Sequence, residues 1–273
     1  MSRYIFTVTS GRSGQASLTE IINKYSINCH AEVEHPEIQL FCKGRLGEYE
    51  HNFRRKFIET NELLGRGKVL TSFRGNDIDY IVSIAKRKKA MFNEFLKDES
   101  KIYFDVGKHF SRGLHLGFDR VLESYSVVLL VREPMENILS FVRRNKNFYL
   151  DNNHPSDLMN QYVFTKDKYT LVELYAWMWV ETYLRFLSII KSKKVDAYHV
   201  LSTQDLNKEE KIVDLFKKMD IKGSFEDFKA IRINTSDSNI SSFTNNEEDQ
   251  FLSFVSNLPV KILNEIKILH RYL

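Results

Sequence analysis

Five short apolar runs punctuate the chain, at Tyr4–Thr9, Ile27–Val33, Ile102–Val106, Ser126–Val131 and Ala197–Leu201. Their length and their β-branched and aromatic content predict a sheet of four to five strands. The segments between them change to a helical period. Leu18, Ile21, Ile22 and Tyr25 follow the i, i+3, i+4, i+7 spacing of one buried helix face. After the fourth run, Pro134 suits a first-turn position, and Ile138, Leu139 and Val142 continue an apolar face. A longer helix is predicted from about Leu171 to Ser192 and another near Glu209–Met219.

Strands alternating with helices predict an α/β fold: three α/β/α layers around a central, mostly parallel sheet, of the P-loop NTPase-like kind. Ligands of such sheets bind beyond the carboxyl ends of the strands. The stretch at about 34–100 is too long for a plain crossover and is read as a helical insertion over that edge. Its charges, as in "IAKRKKAMFNEFLKDES", are expected on solvated outer faces. The segment at about 232–273 is read as a polar loop, "NTSDSNISSFTNNEED", followed by two closing helices. With no internal repeat and no Pro- or Gly-rich linker, residues 1–273 are expected to form a single domain.

Composition narrows the function classes. A net charge of +4, from 40 basic and 36 acidic residues, is too small and too dispersed for a dedicated nucleic-acid binder, and suits a small anionic ligand. No window reaches the roughly 18 uninterrupted apolar residues of a membrane span. The opening "MSRYIFTVTS" is not that of a secretory signal, and Cys29 and Cys42 are too few for a disulfide framework, so a cytoplasmic location is expected. The Asn-x-Ser matches at Asn234 and Asn239 are then chance occurrences. Cys29, His30, His35 and Cys42 lack the paired spacing of a zinc site, so no metal is expected.

Directly behind the first strand stands "SGRSGQAS". A glycine-bearing turn between strand and helix lets backbone N–H groups converge on an anion, and the helix N-terminus adds partial positive charge. Gly11, Arg12, Ser13, Gly14, Gln15, Ala16 and Ser17 are therefore the candidate phosphate cradle. An ATP-binding P-loop would carry lysine after its second glycine and a magnesium-binding hydroxyl next. Gln15 and Ala16 occupy those places. A plain Gly–Ser turn has the same composition, and a second signature tips the balance. In "VREPMENILS", Arg132 leaves the end of the fourth strand and Ser140 sits about two turns into the next helix, so the two can embrace a second phosphate.

Taken together, "GRSG" and "R-E-P-x-E-x-x-x-S" resemble the sulfotransferases that use 3′-phosphoadenosine-5′-phosphosulfate. The resemblance covers the order of core elements from about residue 4 to 220. It implies that the first loop binds the 5′-phosphosulfate and that Arg132 and Ser140 bind the 3′-phosphate, with no metal. Arg132, Pro134, Glu136 and Ser140 match the family pattern, while Glu133 and Met135 depart from it. The loop departs too, since the family commonly has hydroxyls directly after the glycine.

Sulfuryl transfer needs an in-line nucleophile, charge stabilisation on the leaving phosphate, and a base for the acceptor proton. Arg12 stands where the family has Lys or Arg and is assigned to the leaving oxygens; a guanidinium cannot serve as proton donor near neutral pH. Two bases are candidates. "CHAEVEHP" offers Glu32, Glu34 and His35 and is similar to the Glu-then-Pro stretch of tyrosylprotein and some carbohydrate sulfotransferases. "DVGKHF" offers Lys108 and His109 and is similar to the Lys-x-His segment of cytosolic ones, with one residue fewer between them. Glu32 is slightly preferred over His109, and strand alternation is expected to put Glu32 and Glu34 on one face. Trp177 and Trp179 are expected in the core. Arg232 is a candidate for the 3′-phosphate. The expected acceptor is a small molecule or a glycan carrying a hydroxyl or amine. A P-loop kinase and a non-catalytic nucleotide binder are the alternatives.

Overall fold

In the computed structural model, which describes residues 4–35, 42–57, 62–96, 102–144, 147–231, 233 and 242–273, the apolar runs become five parallel strands. They are β1 (Tyr4–Val8), β2 (Cys29–Val33), β3 (Ile102–Val106), β4 (Tyr125–Val131) and β5 (Val195–Ser202), in spatial order β2-β3-β1-β4-β5. The register pairs Ile5 with Phe104 on one side and with Ser126 on the other, so β1 lies at the centre. Parallel strands need crossovers, and helices supply them. These are α1 (Gln15–Tyr25), α2 (Gly44–Phe57), α3 (Lys68–Arg74), α4 (Ile78–Phe95), α5 (Leu114–Val121), α6 (Pro134–Val142), α7 (Leu171–Ile189) and α8 (Glu209–Lys218), followed by α9 (Asn245–Ser256) and α10 (Val260–Glu265). The expected three-layer α/β/α architecture around a parallel central sheet is the one observed.

Alternation along the buried strands sends side chains to both faces, and each face has its own core. Ile5, Phe104, Val128 and Leu130 meet Leu18 and Ile22 of α1 and Leu215 of α8. Tyr4, Phe6, Val127 and Leu129 meet Ile84 and Phe92 of α4, Phe118 of α5 and Phe186 of α7. Phe6 is stacked on Phe110 with ring centroids 4.3 Å apart and packs at 4.6 Å from Phe118. Truncating it to alanine is expected to destabilise by about 3–5 kcal/mol.

Helix α7 is apolar nearly all round because it is covered on every side: the sheet, α6 and α9 all pack on it. A capping box between Thr170 and Glu173 sets its start. Trp177 and Trp179 are core residues, as expected. Their indole N–H groups donate to the carbonyls of Tyr162 and Arg132 respectively, so α7 fixes the strand end that carries Arg132.

The stretch between β2 and β3 holds α2, α3 and α4. Helix α4 lies along a face of the sheet and against α5. Lys86 and Arg87 are exposed there, as the charge pattern led one to expect. Lys88 is the exception: it is buried against Asp105, because α4 turns it inward between Ala85 and Phe92. The closing helices of the C-terminal segment are α9 and α10. Most of the polar loop before them, together with Arg232, Asn234 and Asn239, lies outside the described residues. Among the described residues no helix is long and apolar enough to cross a membrane.

Candidate active site

The backbone reverses hand directly after β1. Gly11, Arg12 and Gly14 have φ of 92°, 57° and 89°, a left-handed path that glycine adopts freely and arginine adopts at a cost of about 1–2 kcal/mol. Gly14 caps α1 without any side-chain hydrogen bond, and the first turn of α1 has no acidic residue. The leading N–H groups of a helix have no partner within it, so here they are open to an anion.

Asn137, buried on α6, braces this loop. Its amide donates to the Gly11 carbonyl at 2.8 Å and to Ser13 Oγ at 3.4 Å, and accepts from Ser10 Oγ at 2.9 Å. Thr203, just past β5, donates from Oγ1 to the Ser13 carbonyl at 2.9 Å. Nothing in the sequence around Asn137 marks it out; its role comes from α6 lying beside the loop.

A cavity of about 880 Å³ opens over the carboxyl ends of the strands. One side is the loop, with Gly11, Arg12, Gly14, Gln15, Ala16 and Ser17 at its wall. Arg12 Nε donates to Ser140 Oγ at 3.3 Å. Burial first, then Arg144 and Arg132, push the Arg12 pKa down, and among the described residues no carboxylate compensates. Arginine stays charged under such shifts, so three cations crowd together without a counter-charge on Arg12. Arg132 donates to Glu136 at 3.1 Å across one turn, and Glu133 caps α6 by accepting from the Glu136 N–H at 2.8 Å. Arg271, near the C-terminus, donates to Glu133 at 2.9 Å and also lines the cavity.

The inner end is built from Glu34, Lys108, Arg112 and Asp151. Lys108 Nζ stands 3.4 Å from Glu34 and 3.4 Å from Asp151, and Arg66, behind them, reaches Glu34 at 3.2 Å. Burial raises the Glu34 pKa, but Lys108 and Arg66 together outweigh it and hold the carboxyl below its ordinary value. Burial lowers the Lys108 pKa against the pull of Glu34 and Asp151. Arg112, buried, donates to the carbonyls of Asp151 at 2.6 Å and Ser10 at 2.9 Å, locking the inner end to the glycine loop.

No family model matches the chain, and no curated protein matches it. Among solved structures it is similar to the sulfotransferase domain of the olefin synthase of Synechococcus PCC 7002, at 13% identity over 98% of this chain and 94% of that one, with a TM-score of 0.48.

The structure thus gathers most of the sequence candidates around one cavity and sets others aside. Ser140 stands just behind the wall, on Arg12. Ser13 turns its hydroxyl inward to the Gly11 carbonyl at 3.1 Å, so it shapes the loop instead of facing the cavity. Ser17 Oγ accepts from the Ile233 N–H at 3.0 Å, and Gln15 Nε2 donates to the Val106 carbonyl at 3.4 Å. Glu32 points elsewhere, to His30 at 2.9 Å and His35 at 3.3 Å. The expectation that Glu32 and Glu34 share a face fails because Glu34 follows the strand with φ of 50°, and a left-handed residue ends the alternation. His109 is buried behind Arg66, whose Nε donates to its Nε2 at 3.0 Å. Burial, and then the surrounding Arg66, Lys108 and Arg112, keep it neutral. Among the described residues no cluster of His, Cys, Asp or Glu is arranged to hold a metal ion. Arg66, Arg112, Asn137, Asp151 and Thr203 join the site without a local sequence signal.

Proposed function

We propose that this chain is a sulfotransferase, moving a sulfuryl group from 3′-phosphoadenosine-5′-phosphosulfate to a hydroxyl or amine of a small-molecule or glycan acceptor. The observation that carries the reading is Arg12. It is a half-buried cation with no carboxylate partner among the described residues, set between an uncapped helix N-terminus and Ser140. Such a cradle fits phosphate oxygens.

When bound, the donor supplies an activated sulfuryl group on a phosphate leaving group. The α1 amides and Arg12 bind its 5′ end and offset charge that builds on the leaving oxygen. Arg132 binds the 3′-phosphate, in keeping with the family resemblance of its spacing to Ser140, which stands behind the wall and holds Arg12. Glu34 faces the cavity as a carboxylate and takes the acceptor proton. Lys108, between Glu34 and the loop, adds positive charge where the transferring group passes. Glu34 replaces Glu32 and His109 as base, since neither of those lines the cavity. Gln15 and Ala16 provide neither the lysine nor the hydroxyl that magnesium-ATP chemistry uses.

Isothermal titration with 3′-phosphoadenosine-5′-phosphate tests the reading. Binding that needs no magnesium and weakens in Arg132→Ala and Ser140→Ala is expected. Absence of binding, or affinity untouched by both substitutions, overturns it, and magnesium-dependent ATP binding would point to a kinase.

A further inference from the structure

Lys88 occupies an apolar-face position of α4, flanked by Ala85 and Phe92, and only 2% of its side chain is exposed. Its ammonium sits 3.1 Å from Asp105 Oδ2 and donates to the His35 carbonyl at 2.9 Å. Asp105 is buried as well, and among the described residues its Oδ1 has no hydrogen-bond partner. A core chosen for stability alone has no need of this arrangement, because apolar side chains of similar volume usually replace a buried ion pair without loss. A buried acceptor left unsatisfied also calls for an explanation. Neither Lys88 nor Asp105 lines the cavity.

What the pair does touch is the turn after β2. The register sets Asp105 beside Glu32, at the strand end where that turn departs. Glu34 is left-handed there, with φ of 50°, a conformation that persists in a non-glycine residue only when its surroundings hold it. The next carbonyl is that of His35, and Lys88 grips it. We propose that Lys88 and Asp105 are a positioning pair, which fixes the left-handed turn and so keeps the Glu34 carboxylate facing the cavity. Asp105 anchors the ammonium, Lys88 anchors the His35 carbonyl, and Glu34 is left within reach of Lys108 and Arg66. The inference builds on Glu34 as the acceptor base, though the positional claim can be measured separately.

Carbon-13 labelling of glutamate carboxyls, with Glu34 assigned through Glu34→Gln, reads the position directly. In the unaltered protein the Glu34 signal is expected to titrate below the ordinary glutamate range. In a Lys88→Met, Asp105→Leu double variant it should move back up, as the turn relaxes and the carboxylate leaves Lys108 and Arg66. Binding of 3′-phosphoadenosine-5′-phosphate, at the other end of the cavity, should stay unchanged. Should this double variant not fold, Lys88→Met with Asp105→Asn serves the same purpose. A folded variant whose Glu34 titrates as before overturns the proposal. If instead Glu34→Gln transfers sulfuryl to phenol, whose hydroxyl keeps its proton at neutral pH, as fast as the unaltered protein while the carboxyl shift still occurs, the assignment of the base fails and the positioning pair stands.

Discussion

Arg12 and Ser140, 128 residues apart in the chain, meet through a 3.3 Å hydrogen bond from guanidinium Nε to hydroxyl Oγ. The contact joins the glycine loop behind β1 to the helix behind β4. Removing the cation should therefore weaken both phosphate positions at once. Arg12→Ala is expected to lose about 1.5–3 kcal/mol of affinity for 3′-phosphoadenosine-5′-phosphate, the range for a charged hydrogen bond, or about one to two decades in Kd. Ser140→Ala should cost less, about 0.5–1.5 kcal/mol. Calorimetric titration of the two variants checks the order.

Asn137 is buried with three partners, the Gly11 carbonyl, Ser13 Oγ and Ser10 Oγ, so its loss strands groups within the loop. Asn137→Ala should destabilise by about 1–3 kcal/mol and weaken anion binding without altering any cavity-lining side chain. Urea unfolding alongside the same titration would show both effects; an intact affinity would mean that the loop keeps its shape unaided.

Glu34 gives stability a definite dependence on pH. Its carboxyl is held below the ordinary value in the folded chain, so its stabilising contribution is complete above the unfolded pKa of about 4.3. That contribution is lost as pH falls through the lower, folded value. The stability difference between the unaltered protein and Glu34→Gln should then shrink steadily on acidification below about pH 5, as read from urea midpoints.

Gly117 of α5 packs directly against α4. A Cβ placed there would lie 2.7 Å from the Ile81 carbonyl oxygen and 2.8 Å from Ala85 Cβ. Backbone has little room to give, so Gly117→Ala should destabilise by about 1–3 kcal/mol despite the better helix propensity of alanine. Thermal unfolding measures this, and a rise in Tm would show that the helices part without strain.

The strands, the glycine loop and the Arg132 to Ser140 spacing were legible because each is a local pattern, set by alternation, turn chemistry or helical period. The inner end of the cavity was legible only in part. Lys108 could be picked out, but Asp151, Arg66 and Arg112 reach it from separate segments, and no local spacing encodes such a meeting. Glu34 is legible as a candidate beside Glu32, but the choice between them is not, because one left-handed residue ends the strand's facing rule and glutamate gives no warning of it. Lys88 was misread as solvated because it stands in a run of basic residues whose neighbours, Lys86 and Arg87, do face water.

The central place of β1 bears on how the molecule comes to be made. Its two sheet neighbours, β3 and β4, begin at Ile102 and Tyr125, and the brace on its loop comes from Asn137. Ser17 is tied by Ile233. Contacts between such distant points close slowly, since the chain must give up much freedom before they form. On the ribosome the glycine loop emerges well before its partners, and Ile233 reaches Ser17 only when more than two hundred further residues have followed.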